Sequence, residues 1–356
     1  MSRGPRISLL LLLLLAVAAA SACTVTATGR PAPAGAGGTV GGSVPLAYDE
    51  QTARYADAFA RVRTVDTCAL HDVAAAERIT GAKGKSLRLG TGLTGCDLEV
   101  ETDDPAAGWE FRLDIGMRDT DGWKPIELGG TQLLKQPSDS STCHYHVPIA
   151  ENVGLKIETS YSQAANSGPE PSSAKICQTS ERYLADVVLS RWKNPPQLAD
   201  GLTGPRSPLL GKNPCAALAA AVADVAGKPG EQRTYSMTDP YSCQGGRGTA
   251  IKTYSVEFTV FSSVIDLKGR PVKIGDFAAF PAGAVGLGGC SYEVAVKPDF
   301  VFSRTERTVY HAGIVIGVPT CDDTAVVQKV LDNLVQQPDA PEPKPGAQVI
   351  GDLRNG

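Results

Sequence analysis

Cys143-His144-Tyr145-His146-Val147-Pro148-Ile149 returns 147 residues later as Cys290-Ser291-Tyr292-Glu293-Val294-Ala295-Val296. In both stretches a cysteine, a tyrosine and two aliphatic residues occupy alternate positions. That is the period of a strand with one face in a core. The surrounding cysteines repeat as well. Cys68, Cys96, Cys143 and Cys177 form one set, and Cys215, Cys243, Cys290 and Cys321 form a second. The first two gaps are 28 and 47 residues in each set, and the last is 34 in one and 31 in the other. The chain is an internal duplication.

Around the matched strand each copy carries the same outline. Asp66 and Asn213 stand two residues before the first cysteine and suit a helix N-cap. Pro214 suits a first helical turn. Val73 and Ile79 in one copy, and Leu218, Val222 and Val225 in the other, give a short apolar stripe, ended by Gly81 and Gly227. Trp109, Phe111, Leu113, Ile115 and Met117 alternate with polar residues as a half-buried strand. Tyr254, Val256, Phe258 and Val260 are the counterpart. Shorter strands are expected at Cys96–Val100, at Leu155–Ile157 and over Gly313–Val318. Each copy then closes with a helix expected just after its fourth cysteine, through Tyr183, Leu184, Val187, Val188 and Trp192 or through Val326, Val327, Val330, Leu331 and Leu334.

The pattern predicts an α+β fold, two tandem copies of a helix–antiparallel sheet–helix domain with two disulfides each. The expected order is a first domain over 48–193, a linker over 194–212 with four prolines and three glycines, a second domain over 213–336 and a flexible tail over 337–356. The first domain starts with a lead-in helix carrying Tyr55, Phe59 and Val62 on one side. Four cysteines allow three pairings per copy. The favoured set is Cys68–Cys96, Cys143–Cys177, Cys215–Cys243 and Cys290–Cys321, which ties each helix start to a core strand.

The N-terminus has two arginines followed by an apolar run from Ile7 to Ala20, the form of a secretory signal peptide over 1–22. Ala20-Ser21-Ala22 fits the small-x-small rule of an ordinary signal peptidase, and with Cys23 it also fits a bacterial lipobox; Cys23 is the one cysteine outside the two sets, which favours the lipobox. The expectation is a diacylated Cys23, an anchor in the membrane, and a flexible tether over 23–47 rich in Gly, Ala, Pro and Thr. Paired cysteines require an oxidising compartment. Loss of Arg3 and Arg6 with the leader moves the formal charge from −4 to −6, which argues against a nucleic-acid partner.

The Asp/Asn-x-Cys-Ala helix start, the second cysteine 28 residues on and the later Cys-x-Tyr strand resemble a group of actinobacterial secreted lipoproteins, the domain of unknown function 3558 family. They are similar in outline to the extracellular sensor domain of a mycobacterial serine/threonine kinase. The resemblance covers both copies. It implies an envelope lipoprotein and carries over no catalytic residues.

Candidate chemistry is sparse. His144 and His146 share a strand face opposite Cys143 and could hold a metal only with a third ligand. The second copy has Ser291 and Glu293 there, so the pair reads as solvent-facing histidines. His71 and His311 have no partner visible in the sequence. Gly84-Lys85-Ser86 lacks the earlier glycine of a phosphate loop, with Ile79 in its place, and reads as a surface loop. Asp119-Thr120-Asp121-Gly122 reads as an Asp-Gly turn between strands. No catalytic residue or cofactor is expected. The expected function is a non-enzymatic lipoprotein on the outer face of the cell membrane. It would bind a small ligand, a hydrophobic one if the pocket is deep and apolar, or an envelope protein partner, in a groove between the copies or between sheet and helices within one copy. The alternatives are an envelope hydrolase or metal-dependent enzyme using His144 and His146, and a structural spacer without ligand.

Overall fold

The computed structural model describes residues 46–352 except 91, 138–140, 165–169, 205, 226–232, 247–252, 262–269, 286–288, 298–300 and 305–308. The leader, Cys23, the tether up to residue 45 and Gly227 lie outside the described residues.

Each repeat builds one antiparallel sheet. The first comprises β1 (Lys83–Leu89), β2 (Cys96–Glu101), β3 (Ala107–Met117), β4 (Lys124–Leu128), β5 (Thr131–Lys135), β6 (Thr142–Ala150) and β7 (Val153–Gln163) in the order β1-β2-β3-β7-β6-β5-β4. The second comprises β9 (Thr234–Ser236), β10 (Ser242–Gly246), β11 (Tyr254–Phe261), β12 (Val272–Ile274), β13 (Phe277–Val285), β14 (Gly289–Ala295) and β16 (Val309–Val318). Their order is β9-β10-β11-β16-β14-β13-β12, with β15 (Val301–Arg304) pairing β16. The two orders superpose strand for strand, so the cysteine register is a structural register.

Alternation decides which face is buried. Trp109, Phe111, Leu113 and Ile115 of β3 are buried, while Glu110, Arg112 and Asp114 between them are partly exposed. Each large apolar side chain taken from water contributes about 1.5–3 kcal/mol. The Cys-x-Tyr strand works alike in both repeats. Tyr145 and Tyr292 are buried, and their hydroxyls donate to the carbonyls of Cys177 (3.4 Å) and Cys321 (2.6 Å). The disulfides are Cys68–Cys96, Cys143–Cys177, Cys215–Cys243 and Cys290–Cys321, with Cα atoms 5.1, 5.4, 5.1 and 5.1 Å apart. This is the expected pairing.

The helices lie as the capping residues direct. The lead-in helix α1 (Glu50–Val62) starts at Asp49, whose carboxylate accepts from the Thr52 amide at 2.7 Å, and it buries Tyr55, Phe59 and Val62. In the first repeat the helix expected at Cys68 is divided. A short 3-10 turn covers Cys68–Leu70, the chain extends at His71, and α2 (Val73–Thr80) restarts at an Asp72 cap and ends at Gly81. The second repeat keeps one helix there, α5 (Pro214–Val222), capped by Asn213. The closing helix of the first repeat begins ahead of Cys177. Ser172 caps α3 (Ser173–Tyr183), which continues through a π-helical stretch Leu184–Val188 into α4 (Leu189–Trp192). In the second repeat α6 (Thr324–Gln336) follows Cys321 as expected.

The tail differs from expectation. Instead of fraying after Pro338, it runs back across the linker. β17 (Gln348–Val349) pairs in parallel with β8 (Thr203–Gly204), and β18 (Gly351–Asp352) pairs with the outer edge of β1. Unused backbone donors and acceptors on a sheet edge and in a proline-rich linker give it partners. The linker itself buries Leu198, Leu209 and Leu210.

Candidate functional site

The β1–β2 hairpin of the first repeat and the β9–β10 hairpin of the second are equivalent, and their turns face each other. A cleft of about 330 Å³ lies between them. Its first wall is the glycine-rich turn before Cys96, then Asp97, Arg112, Asp114 and Lys156 from the polar face of β2, β3 and β7. Its second wall is Asp239, Tyr241 and Glu257, with Thr238, Phe258 and Thr259 beside them.

The first wall is internally compensated. Arg112 reaches Asp97 at 3.1 Å, Glu110 at 3.0 Å and Glu158 at 3.3 Å. Lys156 pairs with Asp114, which also accepts from the Thr94 hydroxyl at 2.6 Å. Asp97 is only 4% exposed. Burial pushes its carboxyl up to about 6, against the pull of Arg112 and Arg88.

The second wall carries carboxylates without such partners. Among the described residues no ion pair reaches Asp239 or Glu257. Burial, then the neighbouring Asp239, raises the Glu257 carboxyl above its ordinary range. Asp239 orders the turn by accepting from the Tyr241 amide at 2.7 Å. Tyr241 is buried. Its hydroxyl donates to the Arg63 carbonyl (2.8 Å) and accepts from the Gly211 amide (3.1 Å), and burial pushes it up to about 12. It is a structural post, not an ionisable group of the cleft.

The histidines do not gather there. His144 and His146 do share the face opposite Cys143, but only His144 keeps some solvent exposure; His146 is not solvent-facing. His146 is 1% exposed, and its ring fills the space over Gly154, where a Cβ would collide with it. The long side chains of Arg118 and Lys156 stand beside it, and burial lowers its pKa to about 4. His144 Nδ1 lies 3.6 Å from Glu158. No group of three or more His, Cys, Asp or Glu side chains is arranged to hold a metal among the described residues. His71 is fully buried, bonded to the Tyr183 hydroxyl and the Cys96 carbonyl at 3.1 Å each. His311 is buried on β16.

Gly84-Lys85-Ser86 is not a surface loop; it is part of edge strand β1, with the Gly84 amide donating to Glu77 at 2.8 Å. Asp119–Gly122 is the turn between β3 and β4. The acidic wall was missed in the sequence because Asp239 and Glu257 are 18 residues apart and face a wall more than 80 residues away. The duplication was the one available signal, since it makes the two hairpins equivalent.

No family model matches the chain, and no curated protein or solved structure matches it. No helix among the described residues is long and apolar enough to cross a membrane.

Proposed function

We propose that this is a non-enzymatic lipoprotein, anchored through Cys23 on the outer face of the cell membrane, that binds a small polar ligand in the cleft between its repeats. The observation that carries the reading is the cleft itself. Equivalent hairpins from two disulfide-stapled domains face one another, and one wall carries Asp239 and Glu257, which no ion pair reaches among the described residues. Sites between domains are common places for small ligands. Charged walls favour a polar ligand over the apolar one that a deep greasy pocket would have favoured. A basic group on the ligand would meet Asp239 and Glu257. The signal-like N-terminus, the lipobox and the four disulfides support the location, and the resemblance to the domain of unknown function 3558 family agrees with it.

A second reading rests on a different observation. An open groove of about 500 Å³ with Ile126, Pro137, Ala174 and Cys177 on its floor runs between the β4–β5 hairpin and α3. Exposed apolar surface of this kind favours an envelope protein partner.

Native mass spectrometry of the mature protein purified from its own envelope tests both. The cleft reading expects a stoichiometric small polar molecule, lost in an Asp239→Asn/Glu257→Gln variant, and a diacylglycerol mass on Cys23. A clean apo mass, with crosslinks in intact cells centred on Ile126 and Ala174, would support the protein partner instead.

A further inference from the structure

The strands that begin the two sheet orders, β1 and β9, are equivalent edge strands, and each is covered by the chain end that adjoins the other repeat. On β1, Ser86 faces Asp352 and Leu87 faces Gly351 of the C-terminal tail. On β9, Tyr235 bridges to Tyr48 in the N-terminal lead-in. The Asp49 amide donates to the Tyr235 carbonyl at 3.0 Å, and the Tyr235 amide donates to the Ala47 carbonyl at 2.9 Å. These edge strands are also the outer strands of the two hairpins whose turns wall the cleft. Each wall of the cleft is thus braced by a terminus from the far side of the molecule.

The two braces differ in strength. The N-terminal one is a full helix. Tyr55 donates to the Met237 carbonyl at 2.8 Å, the Met237 amide donates to Thr52 at 3.2 Å, and Arg63 donates to the Pro240 carbonyl at 2.9 Å. Tyr55 and Phe59 are buried beneath it. The C-terminal brace is a thin strand of chain. Pro341, Glu342, Lys344, Pro345 and Gly346 are exposed, and Ile350 is its buried apolar anchor at 9% exposure. Beyond the β17–β8 and β18–β1 pairings it is attached by Ala340 packed on the core, Pro343 over Gly204, backbone bonds from Lys344 to Gly201 and from Ile350 to Gly204, 2.6 Å each, Arg206 donating to the Pro341 carbonyl at 2.7 Å and Lys212 pairing with Asp339 at 2.9 Å. Segments with few buried contacts open at low free energy.

We infer that residues 338–352 form a releasable strap, and that its detachment frees the β1 edge and loosens the first wall of the cleft while α1 holds the second wall in place. The cleft opens from one side. Its first wall, the turn before Cys96, moves with β1, and β1 has the strap on its outer edge. The inference extends the reading of the cleft and needs no ligand: loss of ligand binding alone would leave it standing, and its own failure would leave the ligand site standing.

Gly204 supplies a selective test. A Cβ there would lie 2.5 Å from Cγ of Pro343, a ring that cannot swing away as a flexible side chain would, so the chain carrying it must shift. Gly204→Val in the full chain therefore levers the strap off without removing it. Hydrogen–deuterium exchange is expected to rise severalfold over 83–95 and to stay unchanged over 50–62 and 234–241. A chain ending at Gln337 should give the same pattern. Unchanged exchange over 83–95 in both variants would overturn the inference. So would a rise throughout β3, β7, β11 and β16, which would make the tail part of the common core rather than a strap.

Discussion

His71 stands three residues past the first cysteine of its repeat, where the second repeat has Leu218, and Tyr183 stands six past the fourth, where the second has Val327. The first repeat thus buries a polar pair at places where the second is apolar. The Cys96 carbonyl can only accept, so His71 Nε2 carries the proton and Nδ1 accepts from the Tyr183 hydroxyl. That hydroxyl in turn accepts from the Asp72 amide at 3.1 Å, and the bond helps divide the first helix at this point. Tyr183→Phe strands a buried ring nitrogen and an amide, and should cost about 1–3 kcal/mol in urea unfolding. His71→Leu combined with Tyr183→Val copies the second repeat and should cost less than the two single changes summed. Additivity would mean that the pair is not coupled. Burial lowers the His71 pKa to about 4, from 6.5 in the unfolded chain. The unfolded state therefore binds the proton first, and stability present above about pH 6.5 is lost as pH falls toward 4. His146 acts in the same direction, whereas Asp97, raised to about 6, opposes it because the folded state holds that proton longer. Urea midpoints at about pH 7 and about pH 5 should show a smaller loss for His71→Leu than for the parent chain.

At the scale of elements, the strands were legible and the helix boundaries were less so. Period-two alternation and the two cysteine sets gave the long strands and the pairing. The broken helix at His71 could not be read, because the partners of His71 and Asp72 there, the Cys96 carbonyl and the Tyr183 hydroxyl, lie 25 and more than 110 residues away. The early start of α3 was legible in principle, since Ser172 is a good cap lying ahead of the cysteine that drew attention. β7 sits between β3 and β6, and at Gly154 it has no room. An added Cβ would collide with the Val147 carbonyl as well as the His146 ring, so Gly154→Ala should destabilise by about 1–3 kcal/mol in urea unfolding. The staple Cys215–Cys243 closes a separation of 28 residues. Its double serine variant should lose about 3–4 kcal/mol by the same measurement. A loss near zero would mean that the reduced chain is already held in place by packing.

For the whole molecule, the sequence shows two beads and a linker, and the structure shows a clasp. The lead-in helix precedes the first repeat yet bonds to residues 237–240 of the second, and the tail follows the second repeat yet closes the sheet of the first. The helix makes its contacts through Tyr55 and Arg63, whose partners lie more than 170 residues away, and the tail makes its own largely through backbone bonds in Pro- and Gly-rich chain, so no periodicity marks either. The cleft was hidden for the same reason: its walls meet only once the repeats are docked. A clasped pair should unfold as one unit, so calorimetry of the parent chain is expected to show a single transition. The second repeat alone, 213–336, should melt lower for want of α1 on its β9 edge. Two resolved transitions in the parent would mean that the repeats are independent.

The central claim is that the cleft between the repeats is the binding site. Its most direct test compares hydrogen–deuterium exchange of the protein as purified from its native cells with the same protein after treatment that strips small molecules. The account predicts that protection in the native sample concentrates on the two facing turns, 90–95 and 238–241. Protection confined to the β4–β5 hairpin and α3, or no difference between the samples, would contradict it.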